Sequence, residues 1–281
     1  MYNCRWSDSQ LKRLKSLGAD ADTLKLTFEN ESQRDAAFQE QAKRLTRQNR
    51  KRLLQFRSDD RRPHLVRLEH LLAEALVQEG FTQIVTPIIM SRGHLERMTL
   101  GPDHQLYRQI FWADANRCFR PMLAPHLYYV SKDLLRLWPR PLRLFEIGPC
   151  FRKESHGARH LNEFTMLNLV EYGMPQTERH RRLKALTALI MDRATIADYR
   201  IEEEHSEVYG DTVDVVAGRG SLEVASAAMG PHRLDAAWGV TETWVGIGFG
   251  LERLTMVARG RDNLKKCGRS LSNLNGIPLN I

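Results

Sequence analysis

Leu11, Leu14 and Leu17 recur at helical spacing between candidate caps at Ser7 or Ser9 and a stop at Gly18, which predicts a short opening helix. A second helix is predicted from Ser32. Past Phe38 its large apolar residues are only Leu45, Leu53, Leu54 and Phe56, so most of its surface faces water until Pro63 interrupts it. Leu65, Leu68, Leu72, Ala75 and Leu76 then draw one stripe of an amphipathic helix that Gly80 terminates. After Gly80 the period changes. Residues 81–89 read as a β-rich strand, in which Pro87 suits an edge, a bulge or an interface better than a central ladder. Further strands are expected at 142–147, 164–172, 208–216, 221–228 and 243–246, and helices at 125–137, at 178–197 and after Gly250. The strands cluster instead of alternating with helices, which predicts an α+β fold on an antiparallel sheet and not a doubly wound parallel one. The boundary is expected near Pro63, leaving a helical segment of residues 1–64 and a main domain of residues 65–281.

Charge sharpens that division. Residues 43–67 carry ten basic side chains (Lys43, Arg44, Arg47, Arg50, Lys51, Arg52, Arg57, Arg61, Arg62 and Arg67) against Asp59 and Asp60, which accounts for the whole net charge of +8. So concentrated a block fits a polyanion such as nucleic acid, although a solvated helix face would have the same composition. With 42% hydrophobic and 27% charged residues over 281 positions, disorder and a disulfide-stapled miniprotein are excluded. No apolar run approaches the ~20 residues needed to span a bilayer, and no apolar signal core follows Met1, so no membrane segment and a cytoplasmic location are expected. Cys4, Cys118, Cys150 and Cys267 form no C-x-x-C pair and are expected as reduced thiols, without zinc.

Two stretches carry the candidate chemistry. Phe145-Glu146-Ile147-Gly148-Pro149-Cys150-Phe151-Arg152-Lys153-Glu154, a polar loop through Asn162-Glu163, and Phe164-Thr165-Met166-Leu167-Asn168 read as strand, charged loop, strand. On the return strand Phe164, Met166, Asn168 and Val170 share one face. In Trp244-Val245-Gly246-Ile247-Gly248-Phe249-Gly250-Leu251-Glu252-Arg253, Leu251 replaces the last glycine of a dinucleotide fingerprint and no Walker lysine follows. What remains is a glycine-rich strand running into a helix with Arg253 in its first turn, where backbone and guanidinium can meet phosphate.

Together these stretches resemble motifs 2 and 3 of the class II aminoacyl-tRNA synthetases, with residues 80–87 in the place of motif 1. The blocks Arg120-Pro121-Met122-Leu123-Ala124-Pro125, Phe145 to Cys150, Glu163 to Asn168 and Gly248 to Arg253 are similar to the branch of that family that charges its tRNA with pyrrolysine, in its short form without a separate N-terminal tRNA-binding domain. The resemblance covers roughly residues 65–281, with a looser echo at 32–38. It implies an ATP-dependent ligase, dimeric through motif 1, that forms an aminoacyl adenylate and passes it to tRNA, with residues 1–64 contacting the tRNA. It further implies catalytic roles for Arg152, Glu223 and Arg253. Arg152 would hold the α-phosphate, and Arg253 the distal phosphates or the adenine face. Phe164 would stack the base, and Glu154, His160 and Gly250 would line the ATP site. Glu223 and Ser226 would hold Mg²⁺, for which hard oxygen donors are suited. Their odd spacing puts them on opposite faces of a regular strand, so a bulge is required if both point inward. The implied amino-acid pocket is Ala124, Leu127, Tyr128, Ser131, Met166, Asn168, Val170, Tyr209, Ala228, Trp244 and Gly246. It has no charged member, which disfavours a charged substrate side chain. Asn168 is the expected donor to a side-chain amide, with Tyr209 closing over the ring. Val170 departs from a usual cysteine, and Ser131 from a larger apolar residue.

Other readings remain beside this one. A class II synthetase or adenylate-forming paralogue for another large amino acid would keep both arginines and Glu223. A noncatalytic RNA-binding protein would need only the basic block. His156 and His160 are spaced as on a metal-binding helix but lie in a glycine-containing loop, and the run Glu202-Glu203-Glu204 reads as a solvated face.

Overall fold

A computed structural model describes residues 4–154, 157, 160–206, 210–218 and 220–281, and the chain divides into two compact units. The first comprises Met1–Pro63 together with Ser270–Ile281. Strand β1 (Cys4–Arg5) leads into α1 (Asp8–Ser16), which Ser7 opens through a capping box with Gln10. After α2 (Ala21–Lys25), β2 (Thr27–Phe28) pairs antiparallel with β1, and α3 (Glu31–Gln55) continues into a π turn over Phe56–Asp60. Trp6, Leu14, Leu17 and Leu45 form the small core, and the Trp6 indole donates to the Thr23 carbonyl at 2.8 Å. The buried Asn49 amide donates to Leu17 O at 2.9 Å, satisfying a polar group that the apolar pattern of α3 does not announce.

The second unit, His64–Arg269, is built on one sheet. Helix α4 (His64–Gln78) buries the stripe Leu65, Leu68, Leu72, Ala75 and Leu76, and Gly80 at φ +87° closes it. The strand expected over 81–89 is two short pieces, β3 (Thr82–Gln83) and β4 (Ile89–Ser91), because Pro87 lacks the N–H that a continuous ladder needs. There follow α5 (Arg92–Arg97), α6 (Gln105–Arg108), β5 (Arg117–Phe119, paired with β4) and α7 (Ala124–Leu137). The long hairpin β6 (Leu142–Phe151) and β7 (Glu163–Tyr172) leads to α8 (Arg179–Arg193). Strands β8 (Tyr199–Ser206), β9 (Gly210–Ala217) and β10 (Leu222–Gly230) form a meander. The unit ends with α9 (Asp235–Trp238), β11 (Trp244–Gly250) and α10 (Leu251–Ala258). The seven strands run β3-β6-β7-β11-β10-β9-β8, all neighbours antiparallel except β3 and β6.

One face of this sheet, carrying Phe145, Leu167, Leu169, Val215, Val245, Ile247 and Phe249, packs on α4, α8 and α10 as the main core. The opposite face carries the cavity described below. Two short strands of the tail, β12 (Asn273–Leu274) and β13 (Ile277–Pro278), pair with each other, and the tail packs within the first unit, where Arg13 Nη1 donates to Asn280 O at 2.7 Å. The contiguous division at Pro63 therefore lacks this return of the chain. All four cysteines are free, and burial pushes the Cys118 and Cys267 thiols up to about 11 and Cys150 up to about 12. No helix among the described residues is long and apolar enough to cross a membrane.

Candidate active site

The open face of the sheet holds a cavity of about 350 Å³. Strand parity supplies one wall. Phe164, Met166, Asn168, Val170 and Tyr172 all point into the cavity from β7, while Thr165, Leu167 and Leu169 are buried beneath. Strand β11 lies beside β7 with Gly248 opposite Asn168 and Gly246 opposite Val170. A Cβ on Gly248 would approach Met166 Cε to 3.2 Å, and one on Gly246 would approach the Trp244 ring to 3.2 Å. The glycines therefore keep open the space that their neighbours line.

Strand β10 supplies Glu223, Ser226 and Ala228. Its pairing with β9 shifts register between Glu223 and Ala225, so Val224 is an extra residue. That bulge reverses the parity and brings Glu223 and Ser226 to the same cavity despite their odd spacing. Val224 itself is buried in the core.

At one end of the cavity two guanidiniums converge. Arg152 follows β6, where Nε donates to Pro121 O at 2.9 Å and the guanidinium lies 5.3 Å from the Phe164 ring centroid. Burial pushes its pKa down and Arg253 adds to this, against the opposing pull of Cys150, Glu154 and Glu223. An arginine stays charged under such conditions, so a partly desolvated cation is held facing the cavity. Asn162 closes the hairpin loop, accepting from Arg152 N at its carbonyl (3.0 Å) and from Glu154 N at its side chain (3.0 Å). Arg253, in the first turn of α10, donates from Nη1 to Glu223 O at 2.8 Å and lies 3.2 Å from Glu223 Oε1. Glu154, His160 and Gly250 complete this end.

The other end is apolar and aromatic. Ala124, Leu127 and Tyr128 enter from the first turns of α7, opposite Ala228 and Trp244, with the Tyr128 and Trp244 rings edge to face at 5.9 Å. Between the ends lies Asn168, whose amide donates to Ile247 O at 3.3 Å.

Thus Ala124, Leu127, Tyr128, Arg152, Glu154, His160, Phe164, Met166, Asn168, Val170, Glu223, Ser226, Ala228, Trp244, Gly246, Gly250 and Arg253 surround one cavity. Ser131 does not. It lies one turn beyond Tyr128 on α7, fully buried beside Tyr172, which stands between it and the cavity as a lining residue. Tyr209 and His156 fall outside the described residues. Sequence reasoning missed Met122, Leu106, Tyr172 and Glu252, which also line the cavity. Tyr172 was legible in the β7 parity. Glu252 is fully buried, accepting from Thr165 N at 2.8 Å, and burial raises its pKa to about 7. No group of three or more His, Cys, Asp or Glu among the described residues is placed to hold a metal ion alone. The Glu223 carboxylate and Ser226 hydroxyl are instead a pair of hard oxygen donors, which suits a Mg²⁺ whose remaining ligands come from phosphates and water.

An antiparallel sheet that presents two arginines, a bulged acidic strand and a glycine-rich strand to one cavity defines a nucleotide-dependent synthetase core, and residues 57–274 match the tRNA synthetases class II core domain (F). The chain belongs to the class II tRNA synthetases. Within that class it is similar to pyrrolysyl-tRNA synthetase from Desulfitobacterium hafniense, 49% identical to one solved structure with a TM-score of 0.91, covering 99% of each chain. A second structure, that of PylSc, a pyrrolysyl tRNA synthetase of the same organism, is 48% identical with a TM-score of 0.88, covering 99% of this chain and 96% of the other. A more distant relative is the O-phosphoserine--tRNA(Cys) ligase of Methanocorpusculum labreanum, 28% identical over 159 residues. The match takes in 52% of this chain and 30% of that ligase, so the chain spans about a third of the curated relative's length.

Proposed function

We propose that the chain activates pyrrolysine with ATP and transfers the resulting acyl group to tRNA(Pyl). The observation that carries this reading is a single cavity with two arginines at one end and an uncharged aromatic end at the other, joined by an amide. Such a cavity accepts a triphosphate and a long, neutral, ring-bearing side chain together, and the similar chains at 49% and 48% identity are pyrrolysyl-tRNA synthetases.

In the first step a carboxylate oxygen of the amino acid attacks the α-phosphorus and pyrophosphate leaves. Arg152, fixed through Nε by Pro121 O, holds the α-phosphate with its remaining N–H groups and offsets charge that builds on the phosphoryl oxygens. Its guanidinium lies over Phe164, whose ring stacks on the adenine. Arg253 holds the distal phosphates and is itself steadied by Glu223. Glu223 and Ser226 hold Mg²⁺, which when bound screens the phosphate charges. Asn168 bonds the side-chain amide of the substrate, while Tyr128, Trp244, Met166 and Val170 exclude water around its ring. In the second step a tRNA hydroxyl attacks the acyl carbon and AMP leaves. Nine of the ten basic side chains of residues 43–67 are exposed, which supports α3 and its extension as the tRNA-contacting surface. The motif 1 segment bears Val85, which is 87% exposed, and exposed Ile88 and Ile89 follow the segment directly, which supports a homodimer formed there.

The test is acylation of tRNA(Pyl) transcript by purified protein, read as a mobility shift on an acid gel. A shift that requires ATP, Mg²⁺ and pyrrolysine supports the reading; charging with a common amino acid in place of pyrrolysine overturns the substrate.

A further inference from the structure

Behind the aromatic end of the cavity lies a buried carboxylate that the chemistry above does not use. Asp235, at the start of α9, is 5% exposed. Its Oδ1 accepts from the Tyr128 hydroxyl at 3.0 Å, and the Trp244 indole N–H is 3.0 Å from both carboxylate oxygens. Oδ2 also accepts from the backbone N–H of His232 at 2.6 Å. Asp235 thus joins α7 to β11 through the two aromatic side chains that form the cavity's inner wall. Packing also limits each ring. Trp238 stacks on Tyr128 at 5.5 Å, and the Trp244 indole lies so close to Gly230 that a Cβ there would sit within 2 Å of its Nε1. Packing restricts the ring planes, and Asp235 adds a charged acceptor to each: without its carboxylate both rings lose that anchor and are freer to turn toward the cavity. A carboxylate accepting from both holds them outward and leaves an apolar wall facing the substrate.

We infer that Asp235 is a positioning residue for amino-acid recognition: it fixes Tyr128 and Trp244 in the orientation that shapes the substrate's side-chain pocket without touching the substrate. This rests on the proposed function, since it assigns the aromatic end to the amino acid. It separates Asp235 from the nucleotide end, where Arg152, Arg253 and Glu223 act.

The test is Asp235→Asn in the full chain. The variant keeps the shape but replaces one accepting oxygen with a donor. Pyrophosphate exchange at varied pyrrolysine should give a KM at least about tenfold above wild type, while the KM for ATP stays within about twofold. In ¹⁵N-tryptophan-labelled protein the indole N–H signal assigned through Trp244→Phe should move in Asp235→Asn, and this readout needs no substrate. A general loosening of the fold would raise both KM values together, and that result, like unchanged values for both, overturns the inference. An immobile Trp244 signal also overturns it. If Asp235→Asn fails to fold, Tyr128→Phe decides, because it removes one bond to Asp235 without introducing a buried donor; an unchanged pyrrolysine KM there refutes the positioning role. Absence of exchange by the wild-type enzyme would count against the proposed substrate instead, and is recognised before any variant is compared.

Discussion

Arg120→Met removes one half of an almost fully enclosed ion pair in the second unit. The Arg120 and Glu146 side chains are 2% and 1% exposed, with Nη1 and Oε1 2.7 Å apart. Arg120 also donates to Pro149 O at 2.8 Å and to Thr86 Oγ1 at 3.0 Å. With methionine in its place the Glu146 carboxylate keeps only the Thr86 backbone N–H at 3.1 Å and the Thr86 hydroxyl at 2.7 Å. Losing one member of a buried pair costs about 3–5 kcal/mol, which for a unit of this size lowers Tm by about 6–20 °C. The same site offers an independent probe. A Cβ on Gly148 would lie 2.1 Å from Arg120 Nη2, so Gly148→Ala destabilises the wild type, whereas in an Arg120→Met background the shorter side chain leaves room for it. Urea unfolding of the two single variants and the double variant measures the coupling, which should exceed about 1 kcal/mol. Additive effects, or a loss below about 1 kcal/mol for Arg120→Met, would show that neither the pair nor its contact with Gly148 matters for stability. Exchange activity should fall as well, since Pro121 O, next in the chain, fixes Arg152.

Three further outcomes follow from the site and its surroundings. Arg152→Ala should reduce pyrophosphate exchange at least about 100-fold with an unchanged far-ultraviolet circular dichroism spectrum, and wild-type turnover would remove it from the reaction. Replacing Arg50, Lys51 and Arg52 with Gln should weaken tRNA binding and flatten its logarithmic salt slope by about 2–3, leaving exchange intact; unchanged binding would dismiss α3 as the RNA surface. The third concerns His126, whose Nδ1 lies 2.9 Å from Thr86 Oγ1 and whose pKa burial pushes down to about 4, with His94 and Arg120 adding to the effect. A lowered folded-state value means the unfolded chain binds the extra proton between pH 6.5 and 4. Wild-type stability should therefore fall relative to His126→Gln by up to about 3 kcal/mol as pH drops through that window, in urea unfolding at each pH. Glu252, raised by burial to about 7, favours the folded state toward acid pH but is common to both proteins and cancels in the difference.

Much of the site was legible because strand parity is local. The alternation Phe164, Met166, Asn168, Val170 placed one cavity wall, and the conflict between Glu223 and Ser226 pointed to a bulge that lies at Val224. Strand β8 was not foreseen, since the acidic run Glu202 to Glu204 resembles a solvated face; it is the edge of the sheet, where charge is tolerated on the unpaired side. The return of Ser270–Ile281 to the N-terminal unit depends on contacts such as Arg13 with Asn280 that leave no periodic trace. Asp235 was equally silent, as a four-residue helix has no period and its partners are 107 and 9 positions away. Ser131 shares the helical face of Leu127 and Tyr128, but spacing along α7 does not say that Tyr172 stands between it and the cavity.

The most direct measurement is ATP–pyrophosphate exchange by the purified protein, comparing pyrrolysine and an Nε-acylated lysine with the twenty common amino acids. Exchange is expected with the first two alone. Exchange driven by a common amino acid would contradict the assignment of the aromatic cavity, and no exchange with any of them would contradict adenylate formation itself.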